Sequence, residues 1–362
     1  MMSCRRTYLE VDLTILEQNA RLMRLAMPPD VAMCAVVKAN AYGHGAPEAA
    51  AAFLKGGAEW LAVALPEEGV ELRASGITAP ILVLAPTNEE GYALCAKKRL
   101  TASIHDLNGL AAAEKAGEMD VHLVADTGLS RDGFREEAQW REAIARLERS
   151  SSLRLTGAFT HFADADGVSD EFTRKQLDRF KKMTTFLPRG LLLHAASNAA
   201  ALRYPETRFD MVRPGIALYG YPPVPTDIPF KPALSFYTEV TALRWIDKGD
   251  PVSYGCTYRA ERRTRIATLA AGYADGIARA FSPGGHVLID GQTFPVVGRV
   301  CMDQMMVDVT DHQDIAVGAQ AVLIGNSGKQ CITAQDVATI LGTISYEVLL
   351  SPSRRVPVQY KR

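Results

Sequence analysis

The sequence predicts an α/β protein in which a (β/α)8 barrel is followed by a mainly β C-terminal domain. Short aliphatic runs recur along the first 220 residues without polar alternation, as in strands that are covered on both faces. Segments with helical periodicity separate these runs. After a proline-rich stretch the long helical segments disappear and strand patterns follow one another, which indicates a second domain.

Eight aliphatic runs are predicted to form the barrel strands. A (β/α)8 barrel typically needs about 250 residues, so eight strand and helix units in roughly 220 residues fit. An open, doubly wound sheet is the alternative that the pattern alone leaves. The predicted strands are VAMCAVV (31–37), WLAVA (60–64), ILVLA (81–85), TASI (101–104), VHLVA (121–125), LTGAFT (155–160), LLLHAA (191–196) and FDMV (209–212).

Three segments between the runs carry clear helix end signals. TILEQNARLMRLA follows Asp12, and DEFTRKQLDRFKKMTTF follows Ser169. PEAAAAFLKGG ends on Gly56 and Gly57, which are typical of a helix C-terminus. Helices are therefore expected to alternate with the strands.

Five prolines fall within YPPVPTDIPFKPAL, residues 221–234. Because proline fixes φ and cannot donate to a strand ladder, this stretch is predicted to be an extended linker. The predicted domains are the barrel, 1–230, and the β domain, 231–362. Strands of the second domain are expected in LSFYTEVTALRWI, TRIATLAAGY, GHVLIDGQTFPVVGRV, MMVDVT and AVLIG, with one helix near TAQDVATIL.

Composition and charge limit the kinds of molecule that the protein is expected to bind. The 362 residues are 48% hydrophobic and carry a net charge of −1, without a basic block, so nucleic acid is not an expected partner. No run of 18 apolar residues occurs, and Arg5 and Arg6 are not followed by an apolar signal sequence, so we expect a cytoplasmic protein away from the membrane. The six cysteines are scattered without metal-ligand spacing, which predicts no metal site.

Polar residues follow the predicted strands at the end where barrels build active sites. Lys38 follows the first strand. A lysine there can be a plain surface cation, but the convergence of other polar groups favours an active-site amine. These groups are Arg131 in DTGLSRDGF, His161 in THFADAD, His194, Ser197 and Asn198 in HAASNAA, and Arg213 and Gly215 in VRPGIALYG.

A partly desolvated lysine near other cations loses its preference for the charged form and becomes a nucleophile for a carbonyl. The Schiff base of pyridoxal 5'-phosphate (PLP) is the expected product. Barrels commonly bind phosphate through the loops after strands seven and eight. Hydroxyl, amide and backbone N–H donors of ASN and RPGIALYG lie in these loops, so PLP is the predicted cofactor.

Over essentially its whole length the sequence resembles the alanine racemase family of fold type III PLP enzymes. The resemblance implies a PLP-dependent racemase that interconverts L- and D-alanine, a small amino-acid substrate, and a homodimer with shared active sites. AVVKANAYGHG is close to the PLP lysine signature of that family. Seven further motifs occur in the same order as in the family: DTGLSRDGF, THFADAD, FDMVRPGIALYG, VSYGCTY, GYADG, GRVCMDQMMVDVT and SYE.

The resemblance also implies two catalytic bases. Lys38 would serve one face of the substrate, and Tyr254 of VSYGCTY would serve the other from the neighbouring subunit. Because tyrosine titrates near 10, it needs cationic or hydrogen-bonding neighbours, and His161 and Arg213 are placed to supply them. Arg213 would also donate to the pyridine nitrogen of PLP, and because arginine has no acceptor that nitrogen would stay unprotonated.

Further roles rest on the resemblance alone. Arg131 would bind the phenolic oxygen of the cofactor and the substrate carboxylate with the help of the Met302 N–H, while Tyr273 and Tyr346 would narrow the entrance. A lone histidine is more often a structural group than a catalytic one, and this applies to His44 and to His194. The implied cofactor-binding residues are Lys38, Tyr42, His161, Ser197, Asn198, Arg213, Gly215, Ile216 and Tyr346, and the implied substrate-binding residues are Arg131, Met302, Asp303 and Tyr273.

The sequence departs from the family pattern at two places. Val124 stands where many members carry a carbamylated lysine that steadies the loop arginine, so Arg131 must be held by Asp132 or by a bound anion. Ser197 and Asn198 stand where the family usually has Asn-Ser, so either an amide replaces the phosphate-binding hydroxyl or the two residues exchange roles.

Three alternative functions stay open at this point. Tyr346 favours a methyl side chain and hence alanine, yet a pocket that lacks only a partner for a hydroxyl discriminates by about a hundredfold, so a serine/alanine racemase is the alternative. A PLP-binding homeostasis protein would lack the β domain. A fold type III lyase or decarboxylase would need a C-terminal His/Cys pair or an acidic partner for the pyridine nitrogen.

Overall fold

The computed structural model describes residues 5–362, and the chain divides into two compact units. The barrel unit comprises Ile15–Ala41 and Gly45–Lys231. The β unit comprises the residues through Thr14, Tyr42–His44 and Pro232–Arg362. The first strand, β1 (Tyr8–Asp12), was not predicted, and it pairs with strands near both ends of the C-terminal region. The predicted domain boundary after residue 230 stays a prediction.

The barrel unit contains a closed barrel of eight parallel strands, which confirms the predicted fold class. The barrel closes where Ala32 pairs with Met211. All eight strands fall within or overlap the predicted runs. They are β2 (Ala32–Val36), β3 (Trp60–Val63), β4 (Ile81–Val83), β5 (Thr101–Ile104), β6 (Met119–Val124), β7 (Leu153–Phe159), β8 (Leu192–His194) and β9 (Met211–Val212).

Helices alternate with these strands and cover the barrel. Every residue of β4 and β5 is buried, which explains the unbroken aliphatic runs. The helix starts follow local chemistry, since the Asn88 and Asp106 side chains each accept a hydrogen bond from the backbone N–H three residues on. The helical segments are α1 (Leu13–Leu25), α2 (Lys38–Tyr42), α3 (Ala46–Lys55), α4 (Pro66–Ala74), α5 (Glu89–Lys98), α6 (Leu107–Ala116), α7 (Glu137–Arg149), α8 (Glu171–Thr184) and α9 (Asn198–Arg203).

A nine-stranded sheet forms the β unit around a long central strand, β10 (Leu234–Ile246). Its first seven residues alternate between buried and half-buried, as expected for a sheet covered on one face. Residues 221–233 contain neither helix nor strand, in agreement with the predicted linker. β11 (Pro251–Val252) and β12 (Tyr258–Arg259) pair with each other as a separate two-stranded sheet. The nine-stranded sheet is completed by β1, β13 (Thr264–Leu269), β14 (His286–Ile289), β15 (Gln292–Pro295), β16 (Met305–Asp308), β17 (Gln320–Ser327), β18 (Gln330–Ile332) and β19 (Val358–Lys361).

Two helices belong to the β unit. α10 (Ala334–Leu341) was predicted and begins at a capping box, in which the Thr333 hydroxyl accepts from the Asp336 N–H while the Asp336 carboxylate accepts from the Thr333 N–H. α11 (Ser345–Leu350) was not predicted. Among residues 5–362, no helix has both the length and the apolar character needed to cross a membrane.

Candidate active site

The segment after β2 carries Lys38 into a left-handed turn. Ala39, Asn40, Ala41 and Tyr42 all have φ near 52°, although none is glycine. A left-handed residue other than glycine costs about 1–2 kcal/mol. Strain of this kind persists only when surrounding contacts define the conformation, and such segments cluster at functional sites.

Glu68 supplies those contacts from the first turn of α4. One carboxylate oxygen accepts the Ala39 N–H at 2.6 Å, and the other accepts the N–H groups of Ala64 at 2.7 Å and Leu65 at 3.1 Å. The turn is also closed by Asn40, whose side-chain oxygen accepts the Ala46 N–H at 2.9 Å. Sequence analysis missed Glu68; its only signal was an acidic residue in a first helical turn.

The Lys38 side chain is half-buried in a cationic environment. Burial lowers the pKa of its amine, the nearby charge of Arg131 lowers it further, and Glu68 acts in the opposite direction. A larger share of the amine is therefore neutral near pH 7 than for an exposed lysine, as a nucleophile or a base requires.

Arg131 lies on the loop after β6, and its side chain is 62% exposed. Its Nε lies 3.4 Å from Asp132 Oδ2, and Asp132 Oδ1 lies 3.3 Å from His105 Nδ1. Val124, at the end of β6, is buried, and its side chain offers no polar atom to this loop. Of the two partners that the sequence left open for Arg131, Asp132 makes the contact.

Arg213 is buried at the end of β9 and organises two histidines. Its Nη1 donates to His194 Nδ1 at 2.8 Å, and its Nη2 donates to Thr160 O at 2.8 Å and to His161 Nδ1 at 3.2 Å. Because arginine only donates, both Nδ1 atoms are acceptors, and both imidazoles carry their proton on Nε2.

The hydrogen-bond chain continues into the barrel. The Nε2–H of His194 donates to His122 Nδ1 at 2.8 Å, so His122 also holds its proton on Nε2. Burial lowers the pKa of His122 and of His161 to about 3, and it holds the pKa of His194 well below 6.5. Burial also lowers the pKa of Arg213, to about 10. Neutral imidazoles therefore surround one buried cation, and sequence analysis missed His122.

Asn198 organises the loop after β9. Its side-chain oxygen accepts the N–H groups of Gly215 at 2.8 Å and Ala217 at 3.1 Å. The predicted Gly215 donor is thus already engaged by Asn198. This assignment of the amide leaves Asn198 Nδ2 as a donor, and the Ile216 N–H has no acceptor among residues 5–362. Ser197 is the N-cap of α9, yet its hydroxyl does not cap the helix.

The predicted residues of the β unit form an exposed group of turns. Tyr254 is 70% exposed, Tyr273 45% and Met302 52%. The Tyr273 N–H donates to Cys301 O at 3.0 Å, and the Ala274 N–H donates to Met302 O at 2.9 Å, so two of these turns are hydrogen-bonded neighbours. Large side chains exposed together in this way are typical of an interaction surface.

Asp303 of this group is held by Arg355, which is itself anchored by a buried carboxylate. Arg355 Nη2 lies 2.8 Å from Asp303 Oδ1, and Arg355 Nε lies 2.8 Å from the fully buried Asp275, which Arg5 also contacts. Burial alone would raise the pKa of Asp275, but the hydrogen bonds from Arg355, Gly272 and Arg5 lower it. Asp275 is therefore a permanent anion that anchors the arginine.

Tyr42 and Tyr346, both in the β unit, have ring centroids 5.8 Å apart. Burial raises the pKa of Tyr42, so its phenol stays protonated and can donate. The next residue, Gly43, has φ of +83°, and a Cβ there would lie 2.4 Å from Leu349 O, so only glycine fits. His44 is buried against Tyr42 O at 3.0 Å, a structural contact.

The structure thus places the predicted residues in two groups. Lys38, Arg131, His161 and Arg213 influence one another electrostatically in the barrel unit. The β unit holds Tyr42, Tyr254, Tyr273, Met302, Asp303 and Tyr346. An eight-stranded parallel barrel whose rim carries a half-buried amine beside arginines and neutral histidines is typical of a barrel enzyme that binds an anionic ligand.

Comparisons with known proteins all identify the same family. The family model of the alanine racemase N-terminal domain matches residues 11–223, and that of the alanine racemase C-terminal domain matches residues 233–360. An alanine racemase of Symbiobacterium thermophilum is 42% identical, covering 98% of this chain and 97% of that protein. The chain belongs to the alanine racemase family.

Solved structures show the same relationship. The crystal structure of alanine racemase from E. faecalis has a TM-score of 0.95 at 34% identity, covering 99% of this chain and 98% of that one. The structure of alanine racemase from Bacillus anthracis with bound L-Ala-P has a TM-score of 0.93 at 37% identity, covering 100% of this chain and 96% of that one.

Proposed function

We propose that this protein interconverts L- and D-alanine with PLP held at the barrel rim. The observation that carries the proposal is the Lys38 amine, half-buried with a lowered pKa beside Arg131, in a member of the alanine racemase family. The substrate is inferred from the relatives, which are named alanine racemases and align with this chain over nearly their full length.

The residues present fit PLP. The amine of Lys38 suits an aldehyde. The Ile216 N–H, in the loop after β9, and Asn198 Nδ2, at the start of α9, are donors for a phosphate. Arg213 has five N–H groups, and its Nε and one Nη1 hydrogen have no acceptor among the described residues, so they remain for a ring nitrogen. When bound, PLP supplies a conjugated ring that stabilises negative charge at the substrate α-carbon.

The Asn198 arrangement favours one of the two alternatives that the sequence left open. Because its oxygen is committed to Gly215 and Ala217, the amide presents its Nδ2 donor. We infer that this donor replaces the phosphate-binding hydroxyl, with Ser197 beside it. Contacts of Tyr42 and Tyr346 with the phosphate stay predictions.

Two bases account for the racemisation. Lys38 holds or releases a proton on one face of the substrate α-carbon, and Tyr254, contributed by the partner subunit of a homodimer, does so on the other. The 70% exposure of Tyr254 supports this role, because the side chain is not part of its own unit's core. His161, which carries its proton on Nε2, is the donor that would stabilise the phenolate form of this tyrosine.

The substrate is held by its carboxylate. Arg131 supplies the guanidinium, and the Met302 N–H and Asp303 of the partner line the same pocket, while Tyr273 and Tyr346 narrow its entrance. Because Arg355 binds Asp303 at 2.8 Å, that carboxylate is oriented before substrate arrives.

Proton NMR in deuterium oxide tests the proposal. The purified protein with PLP receives L-alanine or L-serine, and each product is separated on a chiral column. We expect the α-proton signal of L-alanine to disappear as D-alanine forms, with no exchange in Lys38→Ala. Faster exchange of serine would replace alanine as the substrate, and PLP binding without exchange of either amino acid would refute a racemase.

A further inference from the structure

Arg131 faces a positioning problem. Its side chain is 62% exposed on a loop, and Asp132 is its only ion-pair partner among residues 5–362. An unrestrained arginine samples many rotamers and loses entropy when it binds a carboxylate. A binding arginine works best when its neighbours fix its rotamer beforehand.

Asp132 has two oxygens and uses them in different directions. Oδ2 lies 3.4 Å from Arg131 Nε, and Oδ1 lies 3.3 Å from His105 Nδ1. The pKa of the Asp132 carboxyl is lowered, chiefly by His105 and further by Arg131, so it is an anion throughout the neutral range. Asp132 is therefore a bridge between an exposed cation and a buried imidazole.

His105 is the buried end of this bridge. It directly follows β5 and is only 4% exposed, so its position is fixed by the barrel strand. Neither ring nitrogen has a hydrogen bond of good geometry among the described residues, and the Asp132 contact is its one charged interaction. A buried imidazole that served packing alone would be costly, which points to a role toward Asp132.

We propose that His105 and Asp132 are positioning residues that hold the Arg131 guanidinium ready for the substrate carboxylate. This inference rests on the proposed function and names how its substrate site is ordered. Val124, buried at the end of β6, leaves the loop without any other anionic support from that strand. His105, fixed at the end of β5, thus restrains the Asp132 carboxylate, and Asp132 in turn restrains the exposed Arg131.

Steady-state kinetics of the PLP-loaded protein test the proposal. An exposed ion pair contributes a few tenths to 1 kcal/mol, so Asp132→Asn should raise KM for alanine about threefold. The kcat should change less than KM, since Lys38 and Tyr254 are untouched, and the visible absorption of bound PLP should not change. His105→Leu should act in the same direction, and His105→Gln, which keeps a donor, should restore most of the affinity.

A matched control is available at the start of β6, the strand whose following loop carries Asp132. Asp120 forms a two-point pair with Arg154, at 2.6 and 2.8 Å. Asp120→Asn removes the same charge, together with a closer Asp–Arg pair, from β6 and should leave KM unchanged. Equal KM values for Asp132→Asn, Asp120→Asn and the unmodified protein would overturn the proposal.

An activity-independent measurement separates this proposal from the proposed function. Phenylglyoxal labels arginines, and peptide mass spectrometry gives a rate for each one. Arg131 should be labelled faster in Asp132→Asn, while Arg135, which pairs with Asp126 at 3.6 Å, is the internal reference. An unchanged rate at Arg131 refutes the positioning role. A faster rate in a protein that racemises no amino acid would refute the proposed function and leave the positioning role supported.

Discussion

Glu68→Ala should destabilise the turn that carries Lys38. The carboxylate accepts three backbone N–H groups, from Ala39, Ala64 and Leu65, at 2.6 to 3.1 Å. Hydrogen bonds to charged groups contribute about 1.5–3 kcal/mol when protected from water, and because Glu68 is only half-buried we take about 1 kcal/mol for each. The free energy of unfolding should therefore fall by about 3 kcal/mol, and PLP should bind more weakly.

Urea denaturation and PLP titration measure these effects. Glu67→Ala is the matched control, because Glu67 lies in the same helical turn, is exposed, and forms none of these three hydrogen bonds. It removes the same charge from the helix N-terminus and should shift stability by a few tenths of a kcal/mol. If both variants lost the same stability, the charge at the helix terminus would be responsible, and the clamp on the left-handed turn would be refuted.

Three further predictions concern the chemistry and the buried histidines. Lys38→Ala should abolish the visible absorption of bound PLP, and retention of that absorption would show that another amine holds the cofactor. Tyr254→Phe should keep the absorption and slow conversion of L-alanine more than that of D-alanine; unchanged activity would contradict the two-base assignment. Because the pKa values of His122, His161 and His194 are lowered on folding, the unfolded chain takes up protons first below pH 6.5. Stability should then fall between pH 6.5 and 3 by up to about 1.4 kcal/mol per pH unit for each histidine, as measured by urea denaturation, and a flat profile would refute their neutral burial.

The barrel was predictable because parallel strands covered on both faces read as unbroken aliphatic runs. β1, Tyr8–Asp12, was missed because its residues alternate and its partners lie more than 200 residues away, near Leu234 and Val358. No local pattern specifies such pairing. The left-handed turn after Lys38 was missed for the opposite reason, since it contradicts the local preference of alanine.

The candidate site was predictable where the type of a residue and its position after a strand indicate its chemistry. Lys38, Arg131, His161 and Arg213 each follow a barrel strand, and the rim brings them together. Residues that act through backbone atoms are a different case, because a carboxylate that binds three N–H groups has no sequence signature. Glu68 is therefore visible only in three dimensions.

The charges of the barrel rim are complementary to an anionic ligand. Lys38, Arg131 and Arg213 supply basic groups, and the nearby histidines stay neutral. Two carboxylates act on these groups, Glu68 through its charge near Lys38 and Asp132 through its contact with Arg131. Each carboxylate already serves a backbone turn or a side chain, and neither contacts Arg213, so the remaining N–H donors of Arg213 are left for a ligand. A ligand that binds only the folded state stabilises it in proportion to the logarithm of its concentration over Kd. Saturating PLP should accordingly stabilise the barrel unit, and this gain should be smaller when Arg213 is replaced than when the exposed Arg131 is replaced, because the charge of Arg213 is the one withdrawn from water.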